Sequence, residues 1–265
     1  MELRYRLQDA LYKDSLLAGM EGLRATPGLT AFLIGGGAVQ VYAHSANLRR
    51  PTLDIDFLSK EPSRGALGKS WGRATVQNLE KRGLTGKKTK ARTGTEVRVG
   101  NLDPPFFVHL DCYSPRFLER HRATIDRTYE SRRVVPLEGT EEKIDIEAPE
   151  DVLAFKLRKL LWGLDGRYLT EGDASTVRLI AEGLIDDVQT GDLAGRLNRV
   201  MDQRNMRMEE IAREGSEQGQ FLVEQFKQEK NLYDILLLIE SHRQMKIFSD
   251  PRLIPATVKD LRNSA

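Results

Sequence analysis

The feature that most constrains the fold is a run of three glycines, Gly35–Gly37, between a short apolar segment and a segment with helical character. The apolar segment, Ala31–Ile34, is typical of a buried strand. Glycine adopts backbone angles closed to other residues and lets a ligand approach closely. Strand, glycine turn and helix in this order predict a cradle of backbone N–H groups for a phosphate. The alternative is a tight turn without a ligand; the spacing matches neither the dinucleotide fingerprint nor a P-loop.

Two carboxylates follow in an alternating segment. Leu53, Ile55 and Phe57 alternate with Asp54 and Asp56, so a strand would place both acids on one face. Such neighbours lie about 6.6 Å apart at roughly 3.3 Å rise per residue, close enough to share a cation. Hard oxygen ligands without a nearby cysteine favour Mg²⁺ or Mn²⁺ over zinc. The alternative is the solvent-facing edge of an ordinary amphipathic strand.

A third acid, Asp111, lies inside a second β-prone run, residues 106–113. An aspartate among apolar residues is costly unless it is paired or metal-bound. Beside the first strand it would complete a three-carboxylate cluster suited to a two-metal mechanism. The alternative is an ion pair with one of the many arginines. His109, two residues earlier on the same face, is interpreted as supporting or structural rather than as a ligand.

A lysine is expected on the apolar side of a later helix. Pro149 and the acidic residues after it mark the start of this helix. An advance of about 100° per residue puts Lys156 between Val152 and Leu160. A lysine there needs an anion, and a triphosphate would serve. Alternatively, the side chain reaches past its neighbours to solvent.

The glycine turn, the segment Arg50–Asp56 and Asp111 together resemble the nucleotidyltransferase superfamily that includes polymerase-β-like enzymes. More narrowly, they resemble its AbiEii/MenT branch, the toxin component of bacterial toxin–antitoxin pairs. That branch has a Gly-Gly-x-Ala turn, an Arg-x-Thr-x-Asp-Ile-Asp strand, and a lysine and an aspartate in a following helical segment. Lys156 matches the lysine, and Asp173 is the best match for the aspartate. Helix capping is the alternative role for Asp173.

The resemblance implies transfer of a nucleoside monophosphate from a nucleoside triphosphate (NTP) to an acceptor hydroxyl, with Mg²⁺ or Mn²⁺ and release of pyrophosphate. It implies catalytic roles for Asp54, Asp56, Asp111, Lys156 and Asp173, with the first three as metal ligands, and nucleotide contacts from Gly35, Gly36, Gly37, Thr52 and Lys156. The implied acceptor is the 3′ end of tRNA, and the implied partner is a cognate antitoxin. Related folds act on aminoglycosides or protein hydroxyls. A catalytically silent nucleotide- or RNA-binding protein is a further alternative.

Basic residues are unevenly distributed, although the formal net charge is only +2. Within residues 81–98 Glu96 is the one opposing acid, and the basic residues are Lys81, Arg82, Lys87, Lys88, Lys90, Arg92 and Arg98. A basic cluster beside a nucleotide pocket suits a polyanionic acceptor such as RNA. An ordinary solvated surface is the alternative. An aminoglycoside enzyme would favour an acidic acceptor pocket instead.

The 265 residues exceed the usual size of a single domain, so two packed units are predicted. They are a nucleotidyltransferase core at 1–147 and a helical domain at 148–265. The fold class is α+β, a mixed sheet with flanking helices followed by a C-terminal helical bundle. The predicted elements include helices at 9–23 and 65–81, a strand at 54–59, and mostly β structure from 87 to 146.

Location is predicted from what the sequence lacks. The N-terminus is charged and has no apolar core of a secretory signal, and no apolar run approaches membrane-spanning length. Cys112 is the only cysteine, which excludes an internal disulfide and a thiolate zinc cluster. These features favour a cytoplasmic protein without a membrane partner.

Overall fold

The computed structural model describes most of the first half of the chain and two helices of the second. The described residues are 2–45, 52, 54–60, 65–90, 94–101, 106–112, 119, 122–137, 140–164, 217–252 and 254. The chain divides into two compact units, one formed by residues 1–41 and 51–148, the other by residues 42–50 and 149–265.

The described residues form six helices and seven strands. The helices are α1 (Glu2–Arg24), α2 (Gly35–Tyr42), α3 (Ala66–Lys81), α4 (Arg122–Ser131), α5 (Pro149–Leu164) and α6 (Glu217–Met245). The strands are β1 (Ala31–Ile34), β2 (Asp54–Ser59), β3 (Gly86–Lys90), β4 (Gly94–Val99), β5 (Phe106–Cys112), β6 (Arg133–Pro136) and β7 (Lys143–Ile146).

All seven strands belong to one sheet in the order β3-β4-β5-β2-β1-β7-β6. β2 runs parallel to β5 and β1 runs parallel to β7, whereas the other neighbours are antiparallel. The predicted α+β fold class, a mixed sheet with flanking helices, is confirmed.

One face of the sheet is apolar and packs against α1 and α3. Ile55 and Val108 are fully buried, because every second residue of β2 and β5 points to this face. α1 lies so close to the sheet that a Cβ added at Gly19 would be 2.7 Å from Cε2 of Phe57. The indole Nε1 of Trp71 in α3 donates a hydrogen bond to the carbonyl oxygen of Gly19 at 3.2 Å. The polar residues of β2 and β5 therefore lie on the opposite face.

One predicted boundary needs correction, and one region predicted to be mostly β also contains a helix. α2 begins at Gly35, so the glycines form the first turn of the helix rather than a turn before it. The region from 87 to 146, predicted to be mostly β, holds the strands β3 to β7 and, in addition, the helix α4. Its Ile125 and Thr128 are buried, and the Tyr129 ring packs edge-on against Phe32 at 5.6 Å between centroids. These inward positions are three and four residues apart, a helical period that the interleaved charged residues obscured.

In the second unit α5 packs against α6. Leu232, Ile235 and Leu238 of α6 are buried, as expected for its apolar segment. Residues 165–216, where further helices were predicted, lie outside the described residues. Among the helices that the structure does describe, none has an apolar stretch that could cross a membrane.

Candidate functional site

The polar face of β2 and β5 carries the predicted acidic residues. Side chains in register on neighbouring strands share a face, and alternate residues along a strand return to it. The register pairs are Asp54 with Phe107, Asp56 with His109, and Leu58 with Asp111. Asp54, Asp56 and Asp111 therefore point to the same side of the sheet, and each is half-buried.

The glycine turn opens onto this face next to Asp56. β1 lies antiparallel beside β2, with Ile34 opposite Asp56, so the chain leaves the sheet at Gly35 beside that carboxylate. Gly35 has φ +62°, and a Cβ placed on it would be 3.6 Å from Oδ2 of Asp56. The first turn of α2 and the Asp56 carboxylate thus border the same space. The two motifs that are separate in the sequence meet here.

Thr52 fixes the orientation of the other aspartate. Its Oγ1 donates a hydrogen bond to Oδ1 of Asp54 at 2.6 Å and lies 3.1 Å from the Asp54 carbonyl oxygen. Thr52 is itself buried. A hydroxyl held in this way restricts the rotation of the carboxylate. In the structure the contact of Thr52 is therefore with Asp54, while its predicted contact with a nucleotide stays a prediction.

Asp111 lies farther from the other two acids than a single cluster requires. From strand geometry, its Cα is about 8 Å from that of Asp56 and about 14 Å from that of Asp54. The physical reason is the register, because Leu58 rather than Asp56 faces Asp111. Within the described part of the chain, no three His, Cys, Asp or Glu side chains are grouped closely enough to hold a metal ion.

Asp54 and Asp56 alone still fit a divalent cation. They supply hard oxygen donors at same-face spacing, and Mg²⁺ is typically held by one or two carboxylates together with substrate phosphates and water. The space beside Gly35 would provide for those phosphates. Metal ligation by Asp54, Asp56 and Asp111 stays a prediction.

A hydrogen-bonded group on the same face went unrecognised in the sequence. Oε2 of Glu96 in β4 lies 3.3 Å from Nδ1 of His109, and Oε1 of Glu96 accepts a hydrogen bond from Thr89 Oγ1. Asp56 is in register with His109, His109 with Glu96, and Glu96 with Thr89. The polar side chains therefore continue from Asp56 across β5, β4 and β3, away from the glycine turn. The alternation of Glu96 and Arg98 with buried valines was the available signal. Glu96 thus gives His109 a carboxylate neighbour, while the supporting or structural role expected for His109 stays a prediction.

Lys156 has a carboxylate partner inside its own unit. Its Nζ lies 2.6 Å from Oδ2 of Asp234 in α6, and the two residues are 4% and 0% exposed. The anion that an apolar position demands is thus supplied by the protein. Phosphate binding by Lys156 stays a prediction, and Asp173 lies outside the described residues.

The basic residues of segment 81–98 do not all point to the same side of the sheet. Arg82 donates two hydrogen bonds to the carboxylate of Glu21, at 2.9 and 2.6 Å, and this bonding raises the pKa of Arg82. Lys88 points to α3, because a Cβ on Gly72 would lie 2.9 Å from its Cδ. Lys87 and Arg98 are in register with each other on the polar face. Of these residues, Lys87 and Arg98 therefore share a face of the sheet with the acidic residues.

Comparisons with known proteins find similarity to solved structures only. No protein-family model and no curated protein matches the chain. A crystal structure of an antigenic nucleotidyltransferase-like protein from Paracoccidioides brasiliensis is similar over 58% of this chain and 69% of that one, with 12% identity and a TM-score of 0.41. The solution structure of the antibiotic-resistance factor ANT(2'')-Ia is similar over 79% of this chain and 98% of that one, with 13% identity and a TM-score of 0.32. Function therefore rests on the geometry of the site.

Proposed function

We propose that this chain is a metal-dependent nucleotidyltransferase, which moves a nucleoside monophosphate from an NTP to an acceptor hydroxyl. The observation that carries the proposal is the position of Gly35 at the start of α2, directly beside Oδ2 of Asp56. A helix start attracts phosphate, and paired carboxylates attract a divalent cation. A triphosphate with its cation needs both groups in one place.

In the first unit, different residues would bind the phosphates and the cation. The backbone N–H groups of Gly35–Gly37 would donate hydrogen bonds to phosphate oxygens. Asp54 and Asp56 would hold the cation, with Asp54 kept in orientation by the Thr52 hydroxyl. A bound magnesium ion would neutralise charge on the phosphates and make the α-phosphorus more electrophilic.

In the reaction, the acceptor oxygen forms a bond to the α-phosphorus while the bond from that phosphorus to the bridging oxygen breaks. Pyrophosphate leaves with the electron pair of the broken bond. The hydroxyl proton must pass to a base, and the carboxylate of Asp111 is our candidate. Asp111 lies on β5, on the opposite side of β2 from the glycine turn. Its register partner is Leu58, two residues beyond Asp56, so its Cα is about 8 Å from that of Asp56.

We further propose that the acceptor is RNA, with the 3′ end of tRNA as the first candidate. The support is Lys87 and Arg98 on the site face, together with the sequence resemblance. A cognate antitoxin and a toxin role rest on that resemblance. Transfer to a protein or a small molecule is the competing outcome, as is a silent protein that binds the triphosphate and releases no pyrophosphate.

The test is incubation of the protein with each α-labelled NTP, magnesium and total RNA, with protein and aminoglycoside acceptors in parallel. The proposal expects label in a tRNA-sized band. Asp56→Asn should lower the yield by at least about 100-fold, the scale typical of losing a key transition-state contact. Asp145→Asn is the matched control, since Asp145 is a half-exposed strand aspartate on β7 of the same sheet. Full activity of Asp56→Asn, or no transfer to any acceptor, would contradict the proposal.

A further inference from the structure

One row of side chains crosses the sheet from the candidate site to the edge strand β3. Asp54 is in register with Phe107, Phe107 with Arg98, and Arg98 with Lys87. Residues in register share a face, so all four point to the polar side. Val97, next to Arg98, is fully buried and points to the opposite face, as this alternation requires.

This row and the glycine turn lie on opposite sides of the carboxylates. The turn follows β1 and the row extends over β5, β4 and β3, whereas β2 with its two aspartates runs between them. In phosphoryl transfer the attacking and leaving oxygens are roughly in line with the phosphorus. If the triphosphate lies against the glycine turn, an acceptor approaches from the side of β5. The row is therefore on the acceptor side.

The chemistry of the row suits a single nucleic-acid strand. Phe107 is half-exposed on the sheet face, with its ring 5.5 Å from that of His109 and tilted by 35°. An aromatic ring on a sheet face stacks with unpaired bases, and basic side chains beside it bind the phosphates. Arg98 and the exposed Lys87 supply two such charges. Bases within a duplex are already stacked and would not offer their faces to the ring.

We propose that Phe107, Arg98 and Lys87 form a binding strip for the single-stranded 3′ end of an RNA acceptor. The inference rests on the proposed nucleotidyl transfer, which supplies the reason for an acceptor at this place. From Asp54 to Lys87 the row spans about 14 Å, three strand spacings of roughly 4.8 Å. This length accommodates about four stacked nucleotides at roughly 3.4 Å each.

The test is fluorescence anisotropy of a labelled 12-nucleotide single-stranded RNA with the full-length protein. Phe107→Leu removes the stacking surface and keeps an apolar side chain, so affinity should fall by roughly 5- to 150-fold. Phe107→Tyr keeps the ring and should retain most of the affinity. Lys87→Gln and Arg98→Gln should each reduce the slope of log affinity against log salt by about 0.7, the value for one phosphate contact on a single strand.

Lys88→Gln is the matched control for Lys87→Gln. It makes the same change of charge on the neighbouring residue of the same strand, but Lys88 points to α3. Its salt slope should stay close to that of the wild type. Equal effects of the two variants would overturn the strip, because binding would then depend on overall charge and not on one face.

Three further results decide the inference. Wild-type affinity of Phe107→Leu for the RNA would overturn it, as would equal binding of a duplex with the same sequence. If Phe107→Leu raised the KM for the NTP and left RNA binding unchanged, the inference would also be overturned, and the Phe107 ring would be assigned to contact with the base of the NTP. Failure of the proposed function looks different: the RNA would bind through the strip, while wild-type protein transfers no label to it.

Discussion

Replacing Gly35 by alanine tests two properties of this position: its left-handed backbone conformation and the open space beside it. Its φ of +62° lies in the left-handed region, where a residue with a Cβ loses roughly 1–2 kcal/mol. Gly28 provides a matched control, because its φ is +81° and a Cβ there would meet no atom within 4 Å. Gly28→Ala therefore carries the same kind of backbone strain away from the site. Both variants should lose about 1–2 kcal/mol of unfolding free energy, or roughly 2–8 °C in Tm for a protein of this size.

The two variants should differ in activity. At Gly35 the new methyl group would lie 3.6 Å from Oδ2 of Asp56, in the space assigned to phosphate oxygens. We expect Gly35→Ala to lose at least about ten-fold in kcat/KM for transfer, equivalent to roughly 1.4 kcal/mol, whereas Gly28→Ala retains its activity. Urea unfolding followed by tryptophan fluorescence and α-label transfer give the two readings. Equal activity of the two variants would refute the phosphate cradle, and unchanged stability of both would refute the backbone argument.

Three other predictions concern stability, each measured by urea or thermal unfolding. Lys156→Ala should cost about 3–5 kcal/mol, because it leaves the Asp234 carboxylate buried without its ammonium partner, and Lys156→Met with Asp234→Leu should recover most of the loss. Wild-type stability of Lys156→Ala would show that the pair is not structural. Gly19→Ala should lower the free energy of unfolding by roughly 1–3 kcal/mol, since its Cβ would lie 2.7 Å from Cε2 of Phe57 in β2. An unchanged Tm would contradict this close packing. The hydrogen bond from Arg24 lowers the pKa of Glu142 from its ordinary 4.5, so the bond stabilises the fold above that value and the contribution disappears as pH falls through the lowered pKa. Glu142→Gln should therefore lower Tm at pH 7 and match the wild type at the lowest pH, and a difference that persists there would be inconsistent with this linkage.

The sequence predicted the elements whose signals are local. The alternation around Asp54 and Asp56 predicted β2 with its bounds, and the apolar segment before Gly35 predicted β1. The helix at 65–81 also follows from its own composition and is found as α3. In each case the signal lies within the segment itself: alternation for β2, a continuous apolar run for β1 and composition for α3.

What the sequence did not predict depends on how separate segments meet. Whether Asp111 faces Asp56 or Leu58 is decided by the register of β5 against β2, which no single strand encodes. The partner of Lys156, Asp234, lies in another helix far along the chain. Glu96 became part of the site only through its contact with His109. These pairings are tertiary, and local periodicity carries no information on them.

In the proposed function, a cation and a triphosphate bind between Asp56 and the first turn of α2. The most direct measurement is the paramagnetic broadening of backbone amide NMR signals by Mn²⁺ bound together with an NTP. We predict the strongest broadening at the amides of Gly35 and Ile55, a decrease toward the edge strand β6, and loss of the effect in Asp56→Asn. Strongest broadening elsewhere in the chain, or an unchanged pattern in that variant, would contradict the claim.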